Sequence, residues 1–325
     1  MTSSKIKTIG TGPPKPRLWE DSVPLLWKPF VQLTRIDLFV GSLMIFWPCV
    51  WGLTLGDRSI HPAIYLKQLP IWLVWSILLH SVGSTWNDIC DIDFDRQVER
   101  TKSRPLPSGT ISIRAAVILM IPQIAILFGI LYSFNSLTVY MGLIELCLFT
   151  PLYPFMKRIT FLPQVWLGMA FTWGAVISWV ANAEPQWQTL TIVLGAGTVW
   201  TTYSDTFYAM LDKKDDPGAG VKSTALLFGN HARIIQTGLA SSFVLGLTAI
   251  GWVSNLSIGF YLVSVLGTAI HMTWQVYTVD FDDPTSCMSR FLSNGGQLGY
   301  MIWFGLLVDY LSYSSYVSSL FSAMF

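Results

Sequence analysis

The sequence is poor in charge. Only 12% of its 325 residues are charged, whereas 52% are hydrophobic. A soluble domain has about 25% charged residues, so the composition argues against a soluble globular protein. The four cysteines have no metal-like spacing and the four histidines are scattered, which argues against a disulfide framework and against a zinc site. The mean hydropathy of +0.50 is typical of a membrane protein.

Nine apolar segments have about the length, ~20 residues, that a membrane-spanning helix requires. They lie near 38–56, 69–86, 114–133, 137–154, 162–181, 188–208, 234–254, 257–275 and 296–314. None of them alternates apolar and polar residues as a barrel strand would, so we predict an all-α, polytopic membrane protein with nine transmembrane helices. If the N-terminus is cytoplasmic, the cytoplasmic loops and the N-terminal segment contain 18 of the 20 Lys and Arg residues, and only Arg58 and Lys67 lie on the opposite side of the membrane. The positive-inside rule expects this asymmetry.

Residues 1–33 are predicted to form a cytoplasmic tail that ends in an interfacial helix near residues 23–33, and 34–325 the membrane domain. The tail has no apolar core of a signal peptide. Its glycines and prolines forbid the continuous amphipathic helix of a mitochondrial presequence. The sequence therefore favours an integral protein of an endomembrane over one of the mitochondrial inner membrane.

Two acidic clusters stand out against this apolar background. Asn87, Asp91 and Asp95 recur at every fourth position, which places them on one stripe of a helix with Asp88 at its edge. The second cluster contains Asp205, Asp212 and Asp216, whose steps of seven and four residues are also compatible with one stripe of a helix. Carboxylates so placed repel one another, and oxygen ligands of this kind suit Mg²⁺. The predicted metal ligands are Asn87, Asp88, Asp91, Asp95, Asp212 and Asp216.

Basic residues flank both clusters. A metal ion together with Arg and Lys side chains forms the set needed to hold a diphosphate and to stabilise it as a leaving group. The alternatives are a basic rim that meets anionic lipid, a transporter of divalent cations or lipids with the carboxylates as transit ligands, and a non-catalytic scaffold. The candidate diphosphate-binding residues are Arg96, Arg100, Arg104, Tyr153, Lys157, Arg158, Lys213 and Lys222.

The motifs resemble those of the UbiA superfamily of intramembrane prenyltransferases, most of all its 4-hydroxybenzoate polyprenyltransferase branch. The resemblance runs from about Arg35 to Asn294. The motifs that carry it are Asn87-Asp88-x-x-Asp91-x-x-x-Asp95, Arg100-Thr101-x-x-Arg104-Pro105, Tyr153-Pro154-x-x-Lys157-Arg158, Pro163-Gln164-x-x-Leu167-Gly168, Asp205-Thr206-x-Tyr208-Ala209-x-x-Asp212-x-x-Asp215-Asp216 and Lys222-Ser223-Thr224-Ala225.

The resemblance implies helices arranged around a central cavity that opens laterally to lipid, with Mg²⁺ as cofactor and Asp91, Asp95, Asp212 and Asp216 as catalytic residues. A prenyl diphosphate would ionise, and a ring carbon beside a phenol would attack the allylic cation. The partners implied are the prenyl diphosphate, a phenolic acceptor and membrane lipid, with no nucleic acid or protein partner. The residues expected at the acceptor are Arg35, His80, Asp205 and Tyr208.

Three departures from the ubiquinone branch concern the acceptor. Leu38-Phe39 replaces the usual Lys-Pro, His80 replaces an Arg, and Thr172 replaces a common Asn. The loss of cationic groups argues against 4-hydroxybenzoate as acceptor. The sequence resembles the prenyltransferases of fungal meroterpenoid pathways, which implies transfer of a farnesyl-type chain to a phenolic polyketide acid. The alternative is a 4-hydroxybenzoate polyprenyltransferase of ubiquinone biosynthesis.

Overall fold

The computed structural model describes residues 23–313, and within that range it is all-α, without a strand. Three π-helical segments, Glu145–Phe149, Tyr261–Leu266 and Asn294–Leu298, each join two α-helices into one longer rod. The helices are α1 Lys28–Leu33, α2 Phe39–Gly56, α3 Pro62–Cys90, α4 Ile92–Asp95, α5 Ile113–Tyr132, α6 Ser136–Ile144, α7 Thr150–Ile159, α8 Pro163–Val180, α9 Trp187–Ala209, α10 Asp216–Ala219, α11 Thr224–Phe228, α12 Ala232–Val253, α13 Ile258–Phe260, α14 Gly267–Thr278, α15 Pro284–Ser293 and α16 Gly299–Tyr313.

Each of the nine predicted segments falls on one of these helices or rods. Within the described range, five stretches are long and apolar enough to cross a membrane: Ile36–Gly56, Pro62–Cys90, Ile113–Tyr132, Ser136–Ile159 and Thr224–Val253. The count of nine membrane crossings therefore stays a prediction. The helix α3 is longer than predicted at both ends, because the apolar pattern marks only its middle and misses the polar turn that carries Asn87 and Asp88.

The helices form a ring in which chain neighbours are mostly spatial neighbours. The helix α3 packs between α2 and α5, α8 packs on α9, and α9 packs on α12. The last helix, α16, returns to α2 and closes the ring, while α2 also packs along α8. The bundle core lies along these contacts, with Trp47, Trp179 and Trp200 fully buried.

The pair of α2 and α8 comes together through small residues. A Cβ atom at Gly52 would lie 2.0 Å from the carbonyl oxygen of Ala175, and one at Gly174 would lie 2.6 Å from the Cys49 sulfur. Distances this short leave no room for a side chain, so glycine allows the two backbones to touch. Small residues at helix contacts are the usual means of close packing between membrane helices.

The first acidic motif spans a break between two helices. The helix α3 ends at Cys90, Asp91 has φ −102° and ψ 10°, and α4 resumes at Ile92. Backbone hydrogen bonds still run from Asp91 N to Asn87 O (2.9 Å) and from Asp95 N to Asp91 O (2.8 Å). The predicted row of Asn87, Asp91 and Asp95 therefore forms in spite of the break.

The helical stripe predicted for the second motif does not form. The helix α9 carries Asp205 but ends at Ala209, so Asp212 lies in a turn and Asp216 begins the short helix α10. Residues 210–215 form turns instead, in which the N–H of Asp212 donates to the Ala209 carbonyl oxygen. Pro217 lies in the first turn of α10, where its missing N–H is tolerated.

Only part of the segment predicted as an interfacial helix is helical, and its position at the interface stays a prediction. The helix α1 covers Lys28–Leu33, while Pro24 and Trp27 lie in the turn before it. Leu33 is buried against Leu106 and Ile111, whereas Trp27 is exposed. The predicted tail before residue 23 lies outside the described residues.

Candidate active site

One cavity of about 250 Å³ collects most of the side chains predicted to act. It is lined by all six predicted metal ligands, Asn87, Asp88, Asp91, Asp95, Asp212 and Asp216. It is also lined by the four residues expected at the acceptor, Arg35, His80, Asp205 and Tyr208. Five predicted diphosphate-binding residues complete it: Arg100, Arg104, Tyr153, Lys157 and Lys222.

Three predicted diphosphate-binding residues do not line this cavity. Arg96 donates to the carbonyl oxygen of Pro107 and pairs with Asp93, an ion pair that is largely exposed. Arg158 lies behind the first motif, where it donates to the Cys90 carbonyl oxygen and packs over a neighbouring aromatic ring. Lys213 is also absent from the residues that line the cavity.

Asp91 meets a lysine from another helix. The Nζ atom of Lys157, near the end of α7, donates to Asn87 Oδ1 at 3.0 Å and to Asp91 Oδ2 at 3.1 Å. The Asp91 side chain is 7% exposed, so the pair is largely shielded from water. Lys157 thus connects α7 to the first motif.

Arg100 connects the two acidic motifs. It follows the first motif in sequence, yet its Nε atom donates to Asp212 Oδ1 at 2.7 Å and its Nη2 atom to the other oxygen. Its Nη1 atom donates to the Tyr208 hydroxyl at 2.9 Å. In the same loop, the backbone N–H of Glu99 donates to Asp215 Oδ2 at 3.2 Å. The two motifs, more than a hundred residues apart, therefore share one cavity wall.

A second set of ion pairs surrounds Asp88. The Nη2 atom of Arg35 lies 2.7 Å from both Asp88 oxygens. Arg104 Nη1 donates to Asp88 Oδ1 at 3.2 Å and to Asp95 Oδ2 at 3.0 Å. Asp88 is 1% exposed, and Arg35 has the left-handed backbone angle φ +56°.

Asp95 and Asp216, the last carboxylates of the two motifs, are buried. Burial raises the pKa of Asp216 to about 6, with a further increase from the charge of Asp212 and an opposing effect of the hydrogen bond from Ser223. Burial also raises the pKa of Asp95, against the opposing effect of Arg104. A nearby cation would stabilise both ionised carboxylates.

The charges along the cavity are close to balanced. Six carboxylates, Asp88, Asp91, Asp95, Asp205, Asp212 and Asp216, face five cations, Arg35, Arg100, Arg104, Lys157 and Lys222. Within residues 23–313, no three Asp, Glu, His or Cys side chains lie close enough together to form a metal site by themselves. Magnesium commonly takes only one or two protein carboxylates and completes its shell with water and phosphate oxygens, so the hard oxygen donors of both motifs fit that ion.

The rest of the cavity wall is apolar or neutral. Leu38, Leu167, Phe171 and Phe291 line it. His80 has Nδ1 within 3.1 Å of the Ser42 hydroxyl, and a Cβ at Gly41 would lie 2.3 Å from His80 Nε2. Glycine at position 41 therefore leaves room for the imidazole.

Some lining residues were not given a role by the sequence. Phe291 of α15 packs against Tyr208 with its ring tilted by 45° and the ring centroids 5.0 Å apart, and no motif distinguishes it from other aromatic residues. Gln164 and Ser223 do lie within recognised motifs, and their positions in the cavity wall agree with that signal.

The sequence matches a family of known proteins. The model of the "UbiA prenyltransferase family" matches residues 45–304. A UbiA prenyltransferase, claS, from Ampulloclitocybe clavipes is 44% identical over 87% of this chain and 91% of its own length. The mitochondrial 4-hydroxybenzoate polyprenyltransferase of Drosophila pseudoobscura pseudoobscura is 37% identical over 87% of this chain and 71% of its own length.

The fold is also found among solved structures. A UbiA homolog from Archaeoglobus fulgidus, bound to GPP and Mg²⁺, superposes with a TM-score of 0.66 at 18% identity, over 87% of this chain and 99% of the homolog. The family match covers most of the residues that form the helical ring and its cavity. The chain therefore belongs to the UbiA prenyltransferase family and is a prenyltransferase.

Proposed function

We propose that this prenyltransferase transfers a farnesyl-type group from its diphosphate to an aromatic carbon of a phenolic polyketide acid, as in meroterpenoid biosynthesis. The observation that carries the proposal is the bridge that Arg100 makes from the first acidic motif to Asp212 of the second. Because of this bridge, both carboxylate sets and their cations face a single ligand-sized space.

The donor diphosphate would bind where the two motifs meet. Asn87, Asp91 and Asp95 from one side and Asp212 and Asp216 from the other would hold Mg²⁺. When bound, magnesium supplies positive charge that stabilises the departing diphosphate.

The cations of the cavity would contact the diphosphate itself. Arg100, Arg104 and Lys157 each donate to a motif carboxylate, and Lys222 lines the same wall. We expect these charges to stabilise the negative charge that develops as the allylic C–O bond breaks and its electron pair moves to the diphosphate.

The apolar wall suits the remaining part of the reaction. The allylic carbon forms a bond to the ring carbon beside the phenol, and the ring proton then leaves to a carboxylate or to the released diphosphate. Leu167, Phe171 and Phe291 exclude water from the cationic carbon. The aromatic faces of Phe171 and Phe291 also favour a nearby positive charge.

The acceptor proposal rests on His80. An Arg is usual at this position in the ubiquinone branch, whereas His80 has an imidazole nitrogen beside Ser42 and lies against Gly41. A less cationic wall favours a phenolic acid other than 4-hydroxybenzoate. The name of the 44% identical fungal relative gives no acceptor, and the 37% identical polyprenyltransferase supports 4-hydroxybenzoate as the second candidate acceptor.

We further propose a multi-pass protein of an endomembrane, with a tail over residues 1–33 and a membrane domain over residues 34–325. The apolar helices support an integral membrane location. The interruption of the tail by glycine and proline supports an endomembrane over the mitochondrial inner membrane.

The test is product analysis by mass spectrometry. Protein in lipid nanodiscs is given Mg²⁺, one prenyl diphosphate of each chain length, and either 4-hydroxybenzoate or a panel of phenolic polyketide acids. We expect a C-prenylated polyketide acid and no turnover by Asp91→Asn. The matched control is Asp93→Asn, whose side chain is 88% exposed and pairs with Arg96 outside the cavity. Prenylation of 4-hydroxybenzoate alone would overturn the acceptor assignment.

A further inference from the structure

Asp88 differs from the other carboxylates of its motif. Both of its oxygens lie 2.7 Å from Arg35 Nη2, and one also accepts from Arg104 at 3.2 Å. Asp91, in contrast, accepts from the flexible ammonium group of Lys157 at 3.1 Å, and the guanidinium near it, that of Arg158, lies farther away at 3.7 Å. At 1% exposure, Asp88 has its two oxygens occupied by guanidinium groups on both sides.

The two arginines come from separate parts of the fold. Arg35 lies in the turn before α2, while Arg104 lies in the loop that follows the first motif. Asp88 joins the two arginines, because it accepts hydrogen bonds from both. Arg104 also donates to Asp95, whereas the side-chain hydrogen bonds described for Arg35 go to Asp88.

The backbone of Arg35 supports the same conclusion. Its φ of +56° lies in the left-handed region, which a residue with a long side chain adopts only when its surroundings hold it there. The ion pair with Asp88 supplies such a restraint. Moving Asp88 onto a metal ion would leave the Arg35 guanidinium without its anion and Arg104 with Asp95 alone, in a site where little solvent reaches Asp88, which is unfavourable.

We propose that Asp88 is a positioning residue and not a metal ligand: it fixes Arg35 and Arg104 on the cavity wall. The proposal rests on the proposed function, because the two guanidinium groups would face the diphosphate and the acid group of the acceptor. The metal-binding part of the first motif then consists of Asn87, Asp91 and Asp95.

Metal ligation is tested first, by a spectroscopic signature that requires direct contact. Asp91→Cys and Asp88→Cys are each titrated with Cd²⁺ in the presence of inorganic pyrophosphate, with the wild type as the baseline for the native thiols. A Cd–thiolate charge-transfer band in the ultraviolet is expected for Asp91→Cys and not for Asp88→Cys. A band of equal intensity in Asp88→Cys would overturn the proposal. No band in either variant would count against the proposed function and therefore against this inference as well.

Positioning is tested by a double-mutant cycle on kcat/KM for the acceptor. Asp88→Asn and Arg35→Gln are each expected to lower this ratio about tenfold or more, the effect of one lost charge-assisted hydrogen bond. The double variant is expected to lie within about threefold of the worse single variant, because Asp88 acts through Arg35. Losses that multiply would contradict the proposal. So would a lower midpoint of thermal unfolding with unchanged kcat/KM, which is the pattern of a purely structural residue.

Arg35→Gln also covers the case in which the Asp88 variants do not fold. This variant keeps Asp88 but removes one of its two arginine partners. If Asp88 were able to bind a metal ion, it would be free to do so in this variant. Electron paramagnetic resonance of Mn²⁺ should show the same number of bound ions as in the wild type. One additional bound ion would overturn the proposal.

Discussion

Replacing Arg100 by lysine tests how the two motifs are joined. The guanidinium makes three hydrogen bonds, two to Asp212 and one to the Tyr208 hydroxyl. An ammonium group is a single point donor, so it reaches Asp212 or Tyr208 but does not span both. The positive charge is kept, and the geometry of the bridge is lost.

The size of the effect follows from the two lost bonds. A hydrogen bond to a charged group contributes about 1.5–3 kcal/mol, and the 31% exposure of the Arg100 side chain reduces this through solvent screening. At about 1–1.5 kcal/mol for each bond, the loss of about 2–3 kcal/mol corresponds to a decrease of roughly 30- to 150-fold in kcat/KM.

The assay measures transfer from radiolabelled farnesyl diphosphate at saturating Mg²⁺. Arg96→Lys is the matched control, because Arg96 belongs to the same loop but is largely exposed and lies outside the cavity. We expect the control to keep wild-type kinetics. A loss for Arg100→Lys below about threefold, which is under 1 kcal/mol, would refute the structural role of the bridge.

Three further predictions address the fold, the acceptor wall and the cofactor. Gly52→Ala should lower the midpoint of thermal unfolding, because the new Cβ would collide with the Ala175 carbonyl oxygen and such overpacking costs about 1–3 kcal/mol. The control Gly129→Ala should leave the midpoint unchanged, because a Cβ at Gly129 would have no packing neighbour within 4 Å. Equal effects of the two substitutions would contradict the packing of α2 on α8. Gly41→Ala should displace His80 and raise the KM for the acceptor while leaving that for the donor unchanged, and an unchanged acceptor KM would show that His80 lies outside the acceptor site. Removal of divalent ions with EDTA should abolish transfer, and Mg²⁺ should restore it; transfer in EDTA would contradict the metal role.

The helices were largely predictable because the bilayer imposes a simple pattern. A span needs a continuous apolar stretch, and each predicted stretch coincides with a helix. The ends were not predictable in the same way. The polar last turn of α3 and the break at Asp91 depend on contacts with α7 and with the loop after the first motif. The end of α9 was not predictable either, because the spacing of Asp212 and Asp216 also suits a helix, whereas turns over residues 210–215 separate α9 from α10.

The residue types of the site were predictable from the sequence, but the orientations of their side chains were not. The sequence groups Arg96, Arg100 and Arg104 as equals, whereas the loop turns Arg96 back to the Pro107 carbonyl and the other two into the cavity. The partner of each carboxylate also depends on the tertiary fold. Arg35 and Asp88 are 53 residues apart in the sequence, and no sequence pattern indicates that they form an ion pair.

The most direct test of the central claim is the position of metal and diphosphate in a structure with Mn²⁺ and a non-reactive farnesyl thiodiphosphate. The account predicts Mn²⁺ density that contacts Asp91 or Asp95 of the first motif and Asp212 or Asp216 of the second, with the diphosphate between them. A diphosphate held by one motif alone, or bound outside this cavity, would contradict it.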